Sequence, residues 1–153
     1  NDLEEDYLDG EHGLYNFKDN LWKGLALKEK DFREFLKEHD WSQYAGKHVA
    51  VDCTADAIVP TWAFMLVASH LEPFAETIVF GNMKVLEEKV FEKHIDAMDF
   101  ERMQDIRVIV KGCSEKAIPI SAYVHLQAKV QEVAKSVMYG EPCSTVPIYR
   151  KAN

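Results

Sequence analysis

Shifted by 59 residues, the chain lines up with itself: Leu27 falls on Leu86, Glu29 on Glu88, Lys30 on Lys89, Phe32 on Phe91 and Asp40 on Asp99. The register continues through Val49/Val108, Val51/Val110, Pro60/Pro119, Ala63/Ala122, Ala75/Ala134 and Gly81/Gly140. Eleven identities over about sixty positions exceed the roughly three or four that chance supplies. Near-matches at Trp41/Phe100, Phe64/Tyr123 and Phe80/Tyr139 keep the same spacing. The expected fold is α/β, an internally duplicated αβαβ unit with a mostly parallel sheet flanked by helices. It is read as a single domain over 1–153, with repeats at about 22–81 and 81–140 and a short C-terminal tail.

Each repeat carries the same succession of patterns. "KEKDFREFLKEH" puts Phe32, Phe35, Leu36 and His39 on one helical face, and "KVLEEKVFEKHI" does so with Leu86, Val90, Phe91 and Ile95. "HVAVD" and "RVIVK" are short β-branched runs that suit buried strands. Pro60 and Pro119 follow, where a fixed φ and a missing donor cost a first helical turn nothing. The segments after them are long enough for crossover helices, and "ETIVFG" and "KSVMYG" close each repeat as strands. A sheet of four or five strands follows from this, with "LWKGLAL" as an extra strand and "TVPIYRK" as a tail or edge. "WAFMLVA" is apolar on nearly every side, so its helix is expected to be buried on more than one face.

A net charge of −8 disfavours nucleic acid and anionic membrane, which rely on Lys and Arg to neutralise phosphate. No apolar run approaches the ~20 residues of a membrane span, and the acidic start "NDLEEDYLDGEH" is unlike a signal peptide. The expected location is cytoplasmic. Reducing cytosol leaves three cysteines as thiols.

Those thiols open one recurring phrase: "CTADAIVP" from Cys53, "CSEKAIP" from Cys113 and "CSTVP" from Cys143. In an α/β sheet each would sit in a turn at the C-terminal strand edge, where ligands usually bind. Gathered thiols could hold a transition metal, zinc or iron, or an iron–sulfur cluster, with Asp56 or Glu141 as a carboxylate ligand beside them. No CxxC or HxxxH spacing is present. Thiol catalysis is the second use, although neither His nor Arg adjoins any of the three. Phosphate binding lacks GxGxxG and GxxxxGK[ST]. Packing is the fourth use. His70 and His125 read as packing or surface residues, and Trp22, Trp41 and Trp62 as core.

"HDWSQY", "CTADAIVPTWAFML", "KGCS" and "EPCSTVPIY" together resemble the domain of unknown function 2480 family, an uncharacterised bacterial family, from about Leu21 to Tyr149. Cys53, Cys113 and Cys143 match its motif cysteines, as do Asp56 and Pro60, and no catalytic role comes with them. The segment before Leu21 departs from the resemblance. Genes of the family tend to lie near those for sulfur mobilisation in iron–sulfur cluster assembly, so the resemblance implies cluster or thiol-metal handling. The leading expectation is a metal- or iron–sulfur-binding accessory protein with Cys53, Cys113, Cys143 and Asp56 as ligands. Iron–sulfur assembly proteins would be its partners, and a homodimer is compatible with it. The alternatives are a thiol-dependent enzyme or persulfide carrier, and a structural or interaction module with buried cysteines.

Overall fold

The computed structural model describes residues 11–112, 118–141 and 143–153. They form two compact units, one ending at Val90 and one running from Phe91 to Asn153. The architecture is mixed α/β with four α-helices among the described residues.

The first unit begins with β1 (His12–Asn16), followed by a two-stranded hairpin of β2 (Leu21–Trp22) and β3 (Ala26–Leu27). Helix α1 (Glu29–Glu38) buries Phe32 and Leu36, four residues apart, and leaves its charged positions outward. Asp40 then caps a 3-10 turn (Trp41–Tyr44) by accepting from the Ser42 N–H. β4 (His48–Asp52), α2 (Thr61–Leu71) and β5 (Thr77–Phe80) form a parallel crossover unit. β1 pairs parallel on the other side of β4, so the ladder order is β1-β4-β5. Helices flank this parallel sheet, and Tyr15, Phe17, Phe32, Leu36, Val49 and Val67 lie at the centre of the core. Burial of each such side chain is worth about 1.5–3 kcal/mol.

Helix α3 (Met83–Asp96) contains the boundary between the units. In the second unit Asp99 caps a 3-10 turn (Phe100–Met103), and β6 (Arg107–Val110), α4 (Ile120–Gln131) and β7 (Ser136–Glu141) form a second parallel crossover. β8 (Ser144–Arg150) turns back and pairs antiparallel with β7, giving the order β6-β7-β8. Phe91, Ile95, Ala122, Leu126, Val130 and Val137 make its core.

Small backbone features recur at the 59-residue spacing. Gly46 and Asp105 both have positive φ and donate to the Phe74 and Val133 carbonyls respectively. Gly81 (φ 135) and Gly140 (φ 121) follow the same strand positions, and an added Cβ would lie 2.9 Å from Val85 or 2.6 Å from the Ser144 carbonyl. Glycine is therefore required at both.

Several sequence expectations need correcting. The strands of the described residues lie in two three-stranded sheets and a separate two-stranded hairpin, not in one sheet. "LWKGLAL" bends at Lys23 and Gly24, both at positive φ, and pairs with itself. β1 lies before the recognised patterns altogether. Pro60 and Pro119 hold the N-cap position, one residue before each helix. α2 buries one stripe, Ala63, Val67 and Leu71, while Met65 is 68% exposed, because the helix lies on a single sheet face. Trp41 is core, whereas Trp22 and Trp62 are exposed.

Candidate functional site

Cys53 is the first residue beyond β4, at the C-terminal edge of the parallel ladder. Its N–H donates to the Asp52 carboxylate at 2.8 Å and its thiol donates to the Ala55 carbonyl at 3.6 Å. The side chain is half-buried and packs on the core. Thr54 is committed elsewhere: its N–H donates to Asn16 Oδ1 and its hydroxyl accepts from Asn16 Nδ2 at 2.8 Å, which ties the loop to the end of β1. These contacts form a clamp between strand ends. α2 starts only at Thr61, so Cys53 is not part of its first turn. Asp56 is exposed in the same loop.

Cys143 is exposed in the turn between β7 and β8, in the other unit. Cys113 lies outside the described residues. The position 59 residues after Cys53 is Gly112, where an added Cβ would meet the Tyr139 hydroxyl. Among the described residues no cysteine joins a group of three or more potential metal donors.

One such group does form, from Glu92, Asp96 and His125, whose ligating atoms all lie within 4.8 Å of one another. Glu92 and Asp96 share a face of α3 through their i, i+4 spacing. α4 supplies His125, with Nε2 2.6 Å from Asp96 Oδ1, and Lys129, with Nζ 3.8 Å from the same oxygen. Both carboxylates occupy the end of α3, where the helix dipole is negative and disfavours anions but favours cations. Lys129 answers that field with its charge, and His125 is hydrogen-bonded to Asp96. A divalent ion would do so with greater charge, and one imidazole with two carboxylates is a donor set suited to first-row metals. The ion would have to replace the hydrogen bond between His125 and Asp96. The Glu92/Asp96 spacing is readable in sequence; the arrival of His125 is a tertiary fact.

A third polar feature crosses the first unit's sheet. His12 pairs with His48 and His48 with Thr77, so the three stand in one row. His48 Nδ1 is hydrogen-bonded to Thr77 Oγ1 at 2.8 Å, and both residues are buried. The His12 ring lies 5.5 Å from that of His48.

No helix of the described residues is long and apolar enough to cross a membrane. Neither the curated proteins nor the solved structures contain a match to the chain. The model of the family described as "Protein of unknown function (DUF2480)" matches residues 1–151, and the chain belongs to that family.

Proposed function

We propose that this chain is a metal-handling accessory protein, with the ion held by Glu92, Asp96 and His125. The observation that carries the reading is the approach of three donor atoms from two helices to within 4.8 Å of one another. Three protein ligands leave coordination positions open, which suits an ion that is passed on more than one that is locked in place. Imidazole with carboxylate favours zinc or iron(II) over calcium or copper(I). Partners would be iron–sulfur assembly proteins, in a cytoplasmic setting. The recurrence of caps, crossovers and backbone hydrogen bonds at 59 residues supports descent from a duplicated αβαβ unit.

A second reading keeps Cys53, Cys113 and Cys143, with Asp56, as ligands of a transition metal or an iron–sulfur cluster. Its support is the position of Cys53 at the C-terminal edge of an all-parallel ladder, the usual ligand edge.

Metal and acid-labile sulfide content, measured on protein purified without oxygen and then dialysed against zinc or iron(II), separates the two. Under the first reading about one ion binds per chain, and Glu92→Gln/Asp96→Asn or His125→Ala abolishes it while Cys→Ser variants retain it. Loss that follows the cysteines instead, with sulfide present, establishes the second reading and removes the first. Absence of metal from every preparation overturns both.

A further inference from the structure

The second unit carries a charged counterpart of the His12–His48–Thr77 row. Arg107 pairs with Ser136 across β6 and β7, and Ser136 with Arg150 across β7 and β8, so two arginines flank one hydroxyl on a single sheet face. Strands stand about 4.8 Å apart, which lets both long side chains reach over the central serine. The row lies in a cleft of about 530 Å³ whose lining includes Lys135, Met138 and Pro147. Among the described residues that lining contains no carboxylate.

Charge is what distinguishes this place. The chain as a whole carries −8, yet three cations converge here. Neither Arg107 nor Arg150 forms an ion pair among the described residues. The nearby acid, Asp105, is held by Lys151 at 3.0 Å, and that contact and its charge keep its carboxyl below the usual range. Asp105 thus remains an anion already engaged by Lys151. Two guanidinium forks beside a hydroxyl form a donor set for an oxyanion. Met138 and Pro147, paired across β7 and β8, add an apolar floor.

We propose that this cleft binds a small phosphate-bearing molecule, with Arg107 and Arg150 gripping the phosphate, Ser136 donating to it, and its organic body resting on Met138 and Pro147. The volume falls in the range of small-molecule sites, about 300–1,000 Å³. The site is independent of the metal reading, because none of its residues is a metal donor in that proposal.

The test is a titration of the full chain with inorganic phosphate and with phenyl phosphate at fixed ionic strength, followed by amide NMR shifts. Saturable shifts are expected at the start of β6 and along β7 and β8, with phenyl phosphate the tighter ligand. Arg107→Gln and Arg150→Gln should each weaken binding at least about tenfold, and Lys at either position should recover only part of it. His125→Ala should leave phosphate affinity unchanged, which keeps this result separate from any metal-bound phosphate. Failure to saturate by 20 mM (an upper limit of about that order for a useful site), or unaltered binding by both Gln variants, overturns the proposal. So does an oligonucleotide that binds far more tightly than phenyl phosphate with a steep salt dependence, which would mark a polymer site.

Discussion

Ser136 occupies in the second unit the place that Thr77 occupies in the first, and Arg107 the place of His48. The backbones match, but the chemistry diverges. In the first unit His48 and Thr77 are buried and hydrogen-bonded to each other; in the second, Arg107 and Arg150 are exposed. The difference comes with the third strand. β1 adds beside β4 in parallel, making β4 the central strand with its first four residues buried, whereas β8 adds beside β7 by a hairpin. Similar crossover units can therefore present a buried polar row or a charged cleft, depending on where the last strand docks.

The comparison is tested most severely in the cores. Phe32 and Phe91 are equivalent, at 2% and 1% exposure. Phe32→Ala and Phe91→Ala should each cost about 3–5 kcal/mol in denaturant melts. A large cost at one site alone would break the equivalence.

Exchanging residues between the rows gives the next largest effect. His48→Arg places an unpaired charge at a position 6% exposed and should cost at least about 3 kcal/mol. Arg107→His is expected to stay within about 0.5 kcal/mol of wild type. Equal costs would show that the two rows do not differ in burial as described.

The smallest effect concerns His39, whose equivalent in the second unit is Met98. Burial lowers its pKa, opposed by the charge of Asp40. Its Nε2 lies 3.1 Å from the Tyr44 hydroxyl and 3.3 Å from Gln43 Nε2; both can donate to a neutral ring. With the folded pKa below the unfolded one, the unfolded chain takes up the proton first. The stability present above about pH 6.5 is therefore lost as pH falls through the folded value. His39→Met should flatten the slope of the unfolding midpoint between about pH 7 and 5; an unchanged slope would remove His39 from the account.

The recurring helix, strand and turn patterns were legible because hydrophobic period and punctuation are local properties. Phe32/Phe91, Pro60/Pro119 and Gly81/Gly140 each mark a helix face, a helix entry or a positive-φ turn within a few residues. β1 was not legible, since "HGLYN" is a strand by virtue of pairing with β4. The strand-edge position of the cysteine turn holds for Cys53, but the tie from Thr54 to Asn16 is not legible, because the two are remote in sequence. His125 and Arg150 carry no local signal at all. Each is remote in sequence from the partners that give it meaning, Asp96 for the first and Arg107 for the second.

Strand order also sets a timetable. β7 and β8 meet through a turn of a few residues, whereas His12 must wait for His48, with the β2–β3 hairpin, α1 and a capped 3-10 turn made in between. Closing the longer loop costs more chain entropy, and pairings distant in sequence slow folding. On a ribosome β1 emerges before β4 and stays without that neighbour until β4 follows. The clamp between Asn16 and Thr54 can close only once that pairing is made, and it fastens the end of β1 to the loop that carries Cys53.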